Sequence, residues 1–263
     1  MASEQNLSSV FTDTADAIRE KTGKTDKIKP INFADEIKSI STSTSADDGV
    51  LNSLIEKTIT EFSNNKITTL GDYIFYACDL LTSIDLPVCT SVGGSAFQEC
   101  TSLTSVNLPV CRTIYGAAFY GCYSLTSIDL PVCTTINYNA FYSCKKLTSI
   151  NLPVCTSING NAFRNCVSLT SIDLPVCASI SGTVFTGCSS LTTLIIRTSS
   201  VCTFSSTTAL TNTPIETSST EGFIYVPDDL VGSYKTATNW STYASKIRGL
   251  SQIGYIIDDG SSI

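Results

Sequence analysis

A 22-residue period runs through the middle of this chain and limits its fold more than any other feature. Phe75, Phe97, Phe119, Phe141, Phe163 and Phe185 recur at that step, as do Leu81, Leu103, Leu125, Leu147, Leu169 and Leu191. Pro87, Pro109, Pro131, Pro153 and Pro175 keep it too, until Arg197 breaks the column. One unit reads SLTSIDLPVCTTINYNAFYSC. Near-copies at a fixed period imply stacked units, each able to bury its apolar face only against its neighbours.

Within a unit, Leu125, Ile128 and Leu130 point inward while Thr126, Ser127 and Asp129 point out, the pattern of a short strand. Strands are predicted near 81–86, 103–108, 125–130, 147–152, 169–174 and 191–196. Pro131 follows directly and offers no amide hydrogen, so the ladder stops there. Ile136 is a second inward contact, and Phe141 with Cys144, three apart, suits one face of a single helical turn. Stacked coils align the strands in parallel with rungs about 4.8 Å apart, and the chirality of parallel crossovers makes the solenoid right-handed. The fold class is thus an α/β-type repeat solenoid, right-handed and parallel, with about six 22-residue coils over residues 50–197.

Both ends of such a stack need covering. Residues 198–263 read as a Ser- and Thr-rich loop (198–220) followed by a β/α cap. In the cap, Phe223–Val226 forms a strand, Pro227 and Asp228 open a helix, and Leu230, Tyr234, Trp240, Tyr243 and Ile247 make an apolar face. At the other end, Leu7, Val10, Phe11, Thr14, Ala17 and Ile18 follow helical spacing up to Gly23, and Asn32 can cap a second helix carrying Phe33, Ile37 and Ile40. Residues 1–40 are too few for a stable core of their own. They read either as a helical hairpin on the first coil or as an attachment and oligomerisation segment, tethered by the polar linker 41–49.

Composition removes whole classes of chemistry. Histidine is absent, and with it the usual general base, the usual zinc ligand and every Ser-His or Cys-His pair. A net charge of −7 argues against nucleic acid and anionic membrane as partners. No apolar run has membrane-spanning length, and residues 1–20 lack the apolar region of a secretory leader, so export by general secretion is not expected. Cysteines 78 to 188 fall eleven apart, with Cys202 out of step. That spacing lacks the close ligand pairs of zinc sites, and parallel Cβ vectors suit disulfides poorly. The thiols are expected to be reduced, buried apolar wedges, with at most one pair bonded. No cofactor, metal or catalytic residue is expected.

Two surfaces can carry function. Asp85, Asn107, Asp129, Asn151 and Asp173 form one outward column. Two aspartates on alternate rungs stand about 9–10 Å apart, near the spacing of an inverting glycosidase. An open face has nothing to raise one pKa or exclude water, and the interposed Asn relieves like-charge repulsion, so a structural ladder is the better reading. The second surface lies where otherwise copied units differ: Tyr115, Tyr120, Tyr123, Tyr138, Tyr142, Lys145, Lys146 and Arg164. Exposed Tyr is a low-entropy contact group that also stacks on sugar rings, so these residues read either as a recognition site or as cover for the side of the coil.

The repeat signature AF-x-x-C-x-x-L-T-x-I-x-L-P, over roughly residues 59–196, resembles the BspA-like subclass of leucine-rich repeats. The unit there is usually one residue longer, with a small residue where Cys111 or Cys133 stands. The opening LSSVFTDTADAIREKTGKTDKIKPINFADEIKSI is similar to N-termini of phage and prophage tail-associated proteins of Gram-positive gut bacteria. LIEKTITEF, TNTPIE and FIYVPDDLVGSYKTATNWSTYASKI resemble pieces of phage-borne leucine-rich-repeat proteins. The resemblance implies a non-enzymatic virion component of tail or baseplate that recognises a host-surface glycan or protein. Residues 1–40 would then contact other virion proteins or make a homo-oligomer. A bacterial cell-surface adhesin of the same repeat class is the alternative.

Overall fold

A computed structural model describes residues 57–218 and 220–255; the expected helical segment 1–40 and linker 41–49 lie outside them. Each coil places one strand in each of two parallel stacks. The first stack comprises Glu61–Ser63, Ser83–Asp85, Ser105–Asn107, Ser127–Asp129 and Ser149–Asn151 in one sheet. It continues as Ser171–Leu174, Thr193–Ile196, Phe223–Val226 and Ile247–Gly249 in another. The register is one repeat per rung, as in Ser127↔Ser149 and Ile128↔Ile150. These strands are shorter than predicted. Leu125 donates its amide to the Cys122 carbonyl at 3.2 Å, closing the preceding turn rather than extending the ladder.

The second stack was only hinted at by Ile136. Seven two-residue strands, from Thr69–Leu70 to Thr203–Phe204, pair in parallel on the next side of the coil. Ile114, Ile136, Ile158 and Ile180 point inward from them, fully buried.

The third side corrects the expected helical turn. Asn139, Phe141 and Ser143 donate their amides forward, to Gly160, Ala162 and Arg164 of the next coil, at 3.2, 2.8 and 2.8 Å. Amides on the first strand side run both ways, as when Thr148 donates back to Thr126 at 2.9 Å and Leu130 forward to Asn151 at 3.2 Å. The forward direction coincides with left-handed residues two before and two after the Phe: Asn139 and Ser143 (both φ 58°), or Ala117 (φ 56°) and Gly121 (φ 70°). Backbone in that conformation cannot continue a helix, so the side is a ladder of turns.

Stacking aligns identical side chains inside. Rings of successive phenylalanines from Phe75 to Phe185 lie 5.1 to 5.8 Å apart and within 16° of parallel. All twelve cysteines are buried and unbonded. They also do more than fill space. Cys100, Cys122, Cys144, Cys166 and Cys188 each donate S–H to the Phe carbonyl of the coil before, at 2.9 to 3.1 Å. Cys89, Cys111, Cys133, Cys155 and Cys177 donate to the carbonyl two residues on. A thiol is small and apolar enough for the core, yet supplies a weak donor to a buried acceptor. Burial pushes Cys78 and Cys133 up to about 11 and Cys155 up to about 12, so the neutral form is the folded form. Cys177 departs from the rest. A hydrogen bond with Cys202 lowers it and raises Cys202.

Residues 198–220 are not the expected loop. Thr203–Phe204 is the seventh strand of the second sheet, pairing Ser179↔Thr203. Phe185 donates to Ala209 at 2.9 Å and Gly187 to Thr211 at 2.8 Å, which seats Leu210, fully buried, in the phenylalanine column. A short helix follows at Pro214–Thr217. Thr213 caps it by accepting from Glu216 N at 3.4 Å, and the Glu216 carboxylate accepts from Asn212 N at 2.7 Å. The signal, T-P-I-E with Pro at the first turn, is a capping pattern.

The terminal segment then closes the stack. Trp240 lies on Phe204 with centroids 4.0 Å apart, and its indole donates to the Cys202 carbonyl at 2.7 Å. Tyr234 Oη accepts from Cys202 N at 2.9 Å, and Asn239 Nδ2 donates to the Phe204 carbonyl at 2.6 Å. Side chains thereby satisfy the open edge of the last two-residue strand. Tyr234, Trp240, Tyr243 and Ile247 of the expected apolar face are buried; Leu230 is half-buried. Ile247 does so from a strand that adds a rung to the first stack, Ile224↔Ile247.

Candidate recognition surface

On the first strand stack, the Asp and Asn column is internally paired. Asn107 Nδ2 donates to Asp85 at 2.7 Å and Asn151 Nδ2 to Asp129 at 2.8 Å, while Asp173 takes Arg197 through two nitrogens at 2.9 Å. Each carboxylate is thus engaged by the rung beside it. Neither an enclosed pair nor a water-excluding wall is built there, which is the geometry of a ladder rather than of an acid and base in concert. Among the described residues, no three Cys, Asp or Glu side chains come together in a way that could hold a metal ion. No helix among them is long and apolar enough to cross a membrane.

The turn-side variation is divided by the fold into two groups. Residues directly after the Phe stack from coil to coil, so Tyr120 and Tyr142 meet face to face, centroids 4.8 Å apart and planes 8° off parallel. Both are half-buried. Because they stand in register one rung apart, each ring covers the other; of the two readings left open for these tyrosines, cover describes this pair, while Tyr115, Tyr123 and Tyr138 are exposed. Asn165 Nδ2 reaches the Tyr142 hydroxyl at 3.4 Å. Burial, then the phenols of Tyr142 and Tyr123 and the carboxylate of Glu99, raise the Tyr120 hydroxyl above its usual value. Those neighbours therefore converge on one spot. Glu99 is a member that sequence reading did not single out; its placement two residues after Phe97 was the available signal.

Tyr123 is 39% exposed, and the Lys145 ammonium sits 4.9 Å from its ring centroid. A Cβ added at Gly121 would come within 3.8 Å of the Tyr123 ring, so the phenol lies back over that glycine. Lys146 is exposed beside Lys145, and Arg164 is half-buried in the position after Phe163, one coil beyond Tyr142. Its Nε is the one buried side-chain nitrogen or oxygen without a hydrogen-bond partner among the described residues. The first group is therefore Glu99, Tyr120, Tyr123, Tyr142, Lys145, Lys146, Arg164 and Asn165.

Tyr115 and Tyr138 form the second group. They precede their phenylalanines by four and three residues, at the opposite end of the turn side, and are 50% and 60% exposed. Tyr138 lies against Gly160, where a Cβ would approach the ring to 3.3 Å. The fold joins neither to the stacked pair by a ring contact among the described residues.

A sequence profile described as the BspA type leucine rich repeat region, present in six copies, matches residues 16–147, 68–192 and 112–225. Among solved structures, a leucine-rich repeat protein of T. pallidum is 33% identical over 49% of this chain and 62% of its own, with a TM-score of 0.47. One from Bacteroides ovatus is 26% identical over 69% of this chain and 49% of its own, with a TM-score of 0.48. A leucine rich cell surface protein from Faecalibacterium prausnitzii is 19% identical over 52% of this chain and 55% of its own, with a TM-score of 0.41. The chain thus spans less than two thirds of the length of each. No protein of curated function matches it.

Proposed function

The chain belongs to the BspA type leucine-rich repeat family, and on that premise we propose that it is a phage virion component, of tail or baseplate, that recognises a host-surface glycan or protein without altering it. Repeats of this class generally serve as binding or structural scaffolds and carry no catalytic machinery. The single observation that carries the recognition reading is the cluster on the middle coils. Stacked phenols, a cation over an exposed ring and an unsatisfied guanidinium nitrogen occur on a turn side whose inward Phe and Cys columns are kept from coil to coil. A scaffold that keeps its inward columns and varies its outward turn positions can present those positions to a partner. The virion setting rests on the resemblance of the N-terminal and terminal segments to phage tail-associated proteins, with residues 1–40 as the attachment segment. A bacterial surface adhesin is supported equally by the family.

Two measurements test the reading. Fluorescently labelled protein is expected to bind whole cells of the host species. Tyr123→Ser should lower binding at least about tenfold while the melting temperature holds, since exposed side chains outside special features usually change stability by about 0.5 kcal/mol or less. Undiminished cell binding by that variant would place recognition elsewhere and refute the site. Mass spectrometry of purified particles from an induced culture should find the chain in the virion. Its recovery from the cell envelope alone would select the adhesin.

A further inference from the structure

Resting on that recognition reading, we propose that the ligand is an anionic saccharide, a polymer bearing carboxylates or phosphodiesters, bound along the turn side across Tyr123, Lys145, Lys146 and Arg164. The chain carries a net charge of −7, yet this patch gathers three cations on two successive coils. Of the nearby acidic groups, two lie on the strand side and one, Glu99, stands by Tyr123 at the N-terminal margin of the patch. Asp129 and Asp173 belong to the strand column, where Asn151 and Arg197 already engage them. Glu99 faces Tyr120, on the coil before Tyr120's own and two coils before Lys145. The patch is therefore cationic towards its C-terminal side and acidic only at its far margin.

The state of each cation points the same way. Lys145 leans over the Tyr123 ring rather than onto a carboxylate. Arg164 is held half-buried, with Nε out of water and without an acceptor. Nε itself is closed to a ligand, so the outer guanidinium nitrogens, which make no hydrogen bond or ion pair among the described residues, are the ones that can take an oxygen acceptor. Guanidinium suits a carboxylate or phosphate, to which it can donate two parallel bonds. The exposed Tyr123 phenol supplies a flat face for the C–H side of a sugar ring. A neutral glycan could accept hydrogen bonds from the guanidinium but would bring no counter-charge to the three cations, and an apolar partner would strand all three charges.

The test uses the full chain and three polymers on a biosensor surface: polygalacturonate, poly(glycerol phosphate) and neutral dextran. Binding to at least one anionic polymer is expected, and none to dextran. Raising salt from 50 to 500 mM should weaken it at least about tenfold. Lys145→Gln with Lys146→Gln should weaken it about tenfold or more, and adding Arg164→Gln should abolish it. The lysine pair is exposed, so the double variant keeps the test valid if the triple variant folds poorly. Glu99→Gln should tighten binding. Polygalacturonate alone as ligand assigns the carboxylate, poly(glycerol phosphate) alone the phosphodiester, and both together negative charge itself. Equal binding to dextran, salt-independent binding, an unaffected double variant, or no binding to any of the three overturns the proposal. Cell binding that is lost on tyrosine substitution but accompanied by no polymer binding leaves the recognition function standing and sinks this ligand class.

Discussion

Replacing Phe119 by Ala removes a ring from the middle of the phenylalanine column. The side chain is fully buried, with its centroid 5.1 Å from that of Phe97 and 5.2 Å from that of Phe141. Phe-to-Ala changes in cores cost about 3–5 kcal/mol. Each stacked pair contributes about 0.5–1.5 kcal/mol beyond burial. Phe185 is equally buried but stacks only on Phe163, at 5.8 Å, because Leu210 occupies the next place in the column. Phe119→Ala should therefore fall near the upper end, about 4–5 kcal/mol, and exceed Phe185→Ala by about 1 kcal/mol. At about 2–4 °C per kcal/mol for a chain of this size, the melting temperature drops by about 8–20 °C. A stack held by nearest-neighbour contacts should also lose cooperativity at the gap. Trp240, the single tryptophan, reports the C-terminal end, while circular dichroism reports every coil. Urea titrations of reduced protein followed both ways should coincide for the native sequence and separate for Phe119→Ala. A cost under about 2 kcal/mol, or one no larger than that of Phe185→Ala, would show that the column is not continuous and refute the reasoning.

Two further expectations follow from the thiols and the cap. Cys78, Cys133 and Cys155 sit at about 11 to 12 in the fold, above the value of a free thiol, so their contribution is fully present below about pH 8.5 and is lost as pH rises towards 11 to 12. Each such thiol should remove about 1.4 kcal/mol per pH unit in that window; urea midpoints of reduced protein from pH 7.5 to 10.5 check the slope, and a flat profile contradicts the buried assignment. Trp240→Ala takes away both the ring on Phe204 and the donor to the Cys202 carbonyl, and should cost about 3–5 kcal/mol while exposing the amides of Cys202 and Thr203 to hydrogen exchange. Unchanged protection at those amides would mean that the last strand is covered by something other than this cap.

How much of this could be read from residues alone depends on whether the period is kept. Where it is, one dimension suffices: Phe119, Leu125 and Ile128 stand in columns because identical coils stack, and the parallel ladder of Ser127 on Ser149 follows. The same arithmetic put all the variable tyrosines on turns. It also sets Tyr120 and Tyr142, 22 residues apart, in one column, but it could not show that the Tyr123 ring lies back over Gly121, since this depends on the turn backbone. Nor does spacing reveal hydrogen-bond direction. The left-handed residues around each Phe aim amides forward, where a helical turn had been the natural expectation, and the thiols find carbonyls one coil back. The extra coil at 198–220 escaped for a simple reason. Phe185 to Leu210 is three residues longer than the repeat, so a fixed-step search ends at the insertion. Pairing of Ser179 with Thr203 does not depend on step length, because the unsatisfied edge and the open core of the preceding coil accept whatever backbone and apolar side chain can close over them.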